Sequence, residues 1–140
     1  MASLLFAAGC SAQASVPVAD DAYIRLAAVP GRPAVGYFNL LGGAKDTSLV
    51  RVEAPGASRA EMHGSRMTSN GMVTMESLSA VPVSAKADVA FAPGGRHVML
   101  FGLPKSMVAG AEVPLTLRFA DGTATRVAAK VIAAGDGAPE

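Results

Sequence analysis

The sequence predicts an all-β domain, an antiparallel sandwich or barrel, on three observations. No run of about 10 residues carries the 3.6-residue period of a helix. Glycine and proline, 15 and 9 residues, are scattered along the chain and mark turns at a spacing of roughly 8–12 residues. Between the turns lie short apolar runs, and the last two alternate with the period of two that a half-buried strand requires.

Residues 1–19 read as an export segment and linker. Leu4-Leu5-Phe6-Ala7-Ala8 is apolar but too short to cross a bilayer as a helix. It has the character of the later half of a secretory signal with its small-residue cleavage region. Ala7-Ala8-Gly9-Cys10 resembles a bacterial lipobox, in which Cys10 would carry the lipid and become the first mature residue. No Lys or Arg precedes the apolar run, which fits a translation start upstream of Met1.

The domain itself is expected over residues 20–133. Residues 34–40 are strand-like and end at Gly42-Gly43; residues 49–53 follow and close at Pro55-Gly56. Residues 60–63 form a short strand, Ser69-Asn70-Gly71 a turn, and residues 72–78 a strand after it. Pro82-Val83-Ser84-Ala85 reads as a loop leading into a strand at 87–91. Pro93-Gly94-Gly95 turns the chain into the apolar strand 96–101, and residues 104–110 connect onward. Residues 113–119 and 126–132, joined by Asp121-Gly122, form the clearest hairpin: Leu115, Leu117 and Phe119 share one face, Val127, Ala129 and Val131 another. The tail, residues 134–140, is expected to be disordered.

Composition narrows the function. Hydrophobic residues make up 51% of 140 residues, enough for one core, and without Trp that core must come from Val, Leu, Ala and Met. Twelve basic and 11 acidic residues leave a net charge of +1 with no basic stripe, which gives nucleic-acid binding no support. The single cysteine, Cys10, permits no internal disulfide and no thiolate pair for a metal.

Both histidines, His63 and His97, and six of the seven methionines (Met62, Met67, Met72, Met75, Met99 and Met107) fall between residues 62 and 107. Thioether sulfur is a soft ligand and imidazole a borderline one; that mixture suits copper(I), whereas magnesium and calcium prefer oxygen. His97 and Met99 are two apart in an apparent strand, so both side chains point to one face. Met75 stands in another strand, and His63 lies just before a loop that could carry it over the same end of a sandwich.

The spacing is also recognisable. His63 is followed by Gly64, ten residues (Ser65 to Thr74), Met75, twenty-one residues (Glu76 to Arg96), then His97-Val98-Met99. With Pro93-Gly94-Gly95-Arg96-His97-Val98-Met99-Leu100 it resembles the PCuAC-type periplasmic copper chaperones, which supply the binuclear Cu-A site of cytochrome c oxidase. The resemblance runs from about Asp21 to Ile132. It implies a cupredoxin-like antiparallel Greek-key sandwich and carries a copper(I)-ligand role onto His63, Met75, His97 and Met99. It implies delivery by ligand exchange to an acceptor such as cytochrome c oxidase subunit II, in company with other copper chaperones, in the periplasm. Membrane contact would come only through a lipid on Cys10.

This sequence departs from that pattern at Gly64, where many members have a methionine. Met62 would point to the opposite face of an extended segment and is not counted as a ligand, while Met67, Met72 and Met107 are assigned to packing or the rim. Glu61 and Arg96 flank the site and could tune it, although solvated surface is the reading preferred for both. A blue-copper carrier would need a cysteine in the domain, and hydrolase signatures are missing, so a carrier is expected and not an enzyme. An envelope copper buffer without a specific acceptor, and a metal-free envelope interaction module, are the alternatives.

Thioethers take up no proton in this range but imidazoles do. Copper(I) affinity is therefore expected to weaken as pH falls below about 6.5, the reference value for histidine; a flat titration between pH 5 and 8 would remove the histidines from the ligand set.

Overall fold

The structure is a computed structural model and describes residues 15–139. Cys10 and the export segment lie outside the described residues. Ten strands follow one another: β1 (Val18–Arg25), β2 (Ala34–Leu41), β3 (Thr47–Glu53), β4 (Arg59–Met67), β5 (Val73–Leu78), β6 (Val81–Val83), β7 (Asp88–Phe91), β8 (His97–Phe101), β9 (Glu112–Phe119) and β10 (Ala124–Ile132). No helix occurs among the described residues.

The strands form one hydrogen-bonded path, β5-β4-β8-β2-β1-β10-β9-β3-β6, with β7 also pairing β2. Only β1–β2, β4–β5 and β9–β10 join sequence neighbours; the remaining connections cross between distant parts of the path, as a Greek key requires. The path curls over a single core, so that β3 and β4 touch without sharing hydrogen bonds. Leu49, Leu100, Leu115 and Leu117 within that core are all at 0% exposure, and Phe38 stacks on Phe91 at 4.4 Å between centroids. The sheet is mixed where an antiparallel one was expected: β1 and β10 run parallel, with Tyr23 opposite Lys130. They are the first and last strands, so no hairpin dictates their direction.

Two elements differ from the sequence expectation. Residues 18–25 form β1, which lacks a readable alternation because the register shifts between Asp20 and Tyr23 and Asp21 takes a φ of 50°. The stretch from Pro82, expected as a loop, contains β6: Val81 and Val83 are buried and Pro82 faces out. Proline is tolerated there because β6 ends the path and has an edge with no ladder partner.

The β9–β10 hairpin follows its alternation. Leu115, Leu117 and Phe119 are buried on one strand, Ala129 and Val131 on the other. Gly122 takes the left-handed φ of 88° at the turn, where Asp121 Oδ1 accepts hydrogen bonds from the Thr123 amide at 3.0 Å and its hydroxyl at 2.6 Å. After β10 the chain turns at residues 133–136, closed by the Ala133 amide donating to the Asp136 carboxylate at 3.1 Å. The Arg25 guanidinium also donates to the Asp136 carbonyl at 3.3 Å.

Strand β8 anchors this frame through Val98 and Leu100, at 1% and 0% exposure. Leu100→Ala is expected to cost about 2–5 kcal/mol of unfolding free energy in urea titrations, the range for a buried leucine truncated in a close-packed core.

Candidate metal centre

The site grows out of one pairing, β4 against β8. Along β8, Val98 and Leu100 point into the core, so alternation turns His97, Met99 and Phe101 to the outer face. Along β4, Met62 points inward at 6% exposure, so Arg59, Glu61, His63, Ser65 and Met67 share that outer face. The antiparallel register sets His63 opposite His97, Glu61 opposite Met99, and Arg59 opposite Phe101. On the other side of β4, Ser77 pairs His63 and Met75 pairs Ser65. Beyond β8, Val35 of β2 pairs Met99 and continues the same surface.

All four sequence-predicted ligands therefore lie on one face of the β5-β4-β8 sheet. They are not equally close. His63 and His97 stack with ring centroids 5.9 Å apart and planes 24° apart. Met99 is half-buried two residues along β8 from His97. Met75 stands on the edge strand, diagonal to His63 on the far side of the pair, and is 64% exposed. The histidines and Met99 form the centre and Met75 its rim. The site sits on the sheet face and not over an end of the sandwich, because His63 is in the middle of a nine-residue strand and not at the mouth of a loop.

His97 carries the sharpest chemical signal. It is the buried polar residue of the described core, at 5% exposure. Its Nδ1 lies 3.1 Å from the Gly95 carbonyl. A carbonyl only accepts, so Nδ1 holds the proton and Nε2 presents its lone pair. That Nε2 is buried and has no partner. Leaving such an acceptor unsatisfied costs about 1–3 kcal/mol, and a metal ion would satisfy it. Ser65 steadies the same corner, its amide donating to the Gly95 carbonyl at 3.3 Å.

His63 is tied on the opposite side. Its Nε2 lies 3.0 Å from Glu61 Oε2, while Arg59 Nε donates to Glu61 Oε1 at 2.8 Å. The Arg59 guanidinium in turn sits 4.2 Å above the Phe101 ring. Hydrogen bonding to His63, and then the Arg59 charge, hold the Glu61 carboxyl below the usual carboxylate range. Reading Glu61 as solvated surface overlooked this contact. The signal was available in Arg59, Glu61 and His63, which alternate along one strand and must share a face.

The other methionines divide cleanly. Met62 and Met107 are core residues at 6% and 5% exposure, and Met67 and Met72 stand in solvent at 72% and 65%. Gly64 points inward, since a Cβ there would meet Leu78 at 3.3 Å. A methionine at that position would face the core in this register, so Gly64 removes no sulfur from the outer face. Among the described residues no three His, Cys, Asp or Glu side chains gather into a metal-binding group. The soft donors that share a face with the two histidines are the thioethers of Met99 and Met75.

The family described as "Putative lipoprotein LpqE-like" matches residues 18–131. A protein of Leifsonia xyli subsp. xyli named "Putative lipoprotein Lxx21020" is 37% identical over 90 residues, 64% of this chain. That match spans 54% of the relative's length, about half of it. Among solved structures, the copper-bound PCuAC domain from PmoF2 superposes with a TM-score of 0.68 at 20% identity, covering 87% of this chain and 96% of that domain. The solution structure of CuI-DR1885 from Deinococcus radiodurans superposes with a TM-score of 0.63 at 26% identity, covering 90% and 83%. The all-β, cupredoxin-like architecture is thus shared with PCuAC domains.

With its thioether in solvent, Met75 contributes nothing to the core. Met75→Ala is expected to change the unfolding free energy by less than about 0.5 kcal/mol, as surface substitutions do, when measured by denaturant unfolding of the metal-free protein.

Proposed function

We propose that this chain, which belongs to the LpqE-like family, is an exported copper(I) carrier that holds one ion through His63, His97, Met99 and Met75 and passes it to another protein by ligand exchange. The observation that carries the reading is the buried, partnerless Nε2 of His97, a residue on the sheet face where a second imidazole and two thioethers stand. The copper named for the PmoF2 and Deinococcus radiodurans structures supports the choice of ion. So does the donor set: two soft sulfurs and two imidazoles suit a d10 ion that imposes no strong geometry.

The gradient of exposure across the ligands gives the exchange a direction. Met75, at 64% exposure on the edge strand, is the ligand an incoming group reaches first. Met99 is half-buried, and His97, at 5%, is the last to let go. A thiolate of the acceptor displaces Met75, then Met99, while the histidines retain the ion until a second thiolate arrives. Each intermediate keeps the copper coordinated, so no free ion is released. The acceptor is the Cu-A site of cytochrome c oxidase subunit II. The carrier works in the periplasm, held to the membrane by a lipid on Cys10, a reading that the lipoprotein description of the family supports.

Two measurements test this. The full chain with Cys10→Ser, titrated anaerobically with copper(I) against a chromophoric chelator, should bind one equivalent, and His97→Ala/Met99→Ala should abolish that binding. No binding by the parent chain would leave an envelope interaction module. Mixed with a metal-free subunit II copper domain, the loaded chain should give up its copper; retention would make the protein a buffer.

A further inference from the structure

Nothing in a strand face by itself decides which nitrogen of a histidine meets a metal. For His97 the Gly95 carbonyl decides it, leaving Nε2. His63 is held from the other end of the ring, because its Nε2 faces a carboxylate oxygen 3.0 Å away. A carboxylate paired with a guanidinium accepts and does not donate, and Arg59 holds the other oxygen of Glu61. The proton of neutral His63 therefore sits on Nε2, and its lone pair is on Nδ1. Glu61 is itself fixed, clamped by Arg59 at 2.8 Å, whose guanidinium lies 4.2 Å over Phe101. The four residues form a row across the outer face, Phe101 and Arg59 in one cross-strand pair, Glu61 two residues on and His63 two residues beyond.

Resting on the copper(I) reading above, we propose that Glu61 is a positioning residue which makes His63 bind the ion through Nδ1 while His97 binds through Nε2, so that the two imidazoles present opposite ring nitrogens to one metal. The rings stack 5.9 Å apart on directly opposed residues, on the face that also carries Met75 and Met99. Glu61 is not itself a ligand: its two oxygens are taken by His63 and Arg59, and carboxylate oxygen is a poor match for copper(I). Its charge nonetheless lies beside the cation and offsets it.

The test uses the full chain with Cys10→Ser, isotopically labelled with nitrogen-15 and loaded with copper(I), which is diamagnetic. Ring nitrogen shifts should show Nδ1 of His63 and Nε2 of His97 metal-bound, with a slowly exchanging Nε2 proton on His63. Glu61→Ala should weaken copper(I) binding by about 10–100-fold, the usual effect of losing such an outer partner, and release His63 to bind through Nε2. Glu61→Gln keeps an acceptor oxygen and should retain Nδ1 binding with a smaller loss. Thermal unfolding of the metal-free variants should stay close to the parent, since the Arg59–Glu61 pair is partly exposed and such pairs contribute little to stability. A parent chain that takes no copper defeats the carrier reading. A parent that loads copper with His63 bound through Nε2, or a Glu61→Gln variant as weak as Glu61→Ala, overturns the role of Glu61 alone.

Discussion

Everything in the site depends on the register between β4 and β8. Side chains on a strand alternate with a period of two, so a slip of one residue would turn His63 into the core and Met62 out to the surface. What prevents the slip lies on the other face. Val98, Leu100 and Met62 are buried against the core cluster, and a slip of β4 would take Met62 out of that core while burying Glu61 and Arg59. The functional face is thus held in place by residues that never touch it. This also explains why two histidines 34 positions apart, 63 and 97, can face each other so reliably. The hydrophobic effect does the aligning, and the ligands inherit the alignment.

Much of this could be read from the chain alone. The hairpin of β9 and β10 follows from alternation and the Asp121-Gly122 turn, and the strand carrying His97 and Met99 from its apolar neighbours. Their shared face follows from the spacing of two. What could not be read was the bulged strand β1, whose irregularity at Asp21 hides its period. The edge strand β6 was hidden by Pro82, a residue that ordinarily argues against a strand. The parallel pairing of β1 and β10 is a contact between the two ends of the domain, and local sequence carries no information about it.

Within the site the same division holds. The candidate donors were visible as a matter of spacing. Their inequality was not, because exposure depends on place in the sheet: His97 is in an inner strand and Met75 on the edge. The contacts of Glu61 were hinted at by its spacing of two from Arg59 and His63, but only the structure shows the carboxylate meeting both. The apparent loss at Gly64 dissolves for the same reason, since the side a residue faces counts for more than its adjacency to a ligand.

The position of Met75 has a consequence for durability. A thioether in solvent is open to oxidation, and methionine sulfoxide is a polar group whose sulfur no longer offers a soft lone pair. The sulfurs of Met62 and Met107 are sheltered in the core, and that of Met99 is half covered. Oxidants would therefore strike the rim ligand before the centre. On the proposed ligand set, the donor that an acceptor would reach first is thus also the one most open to oxidation.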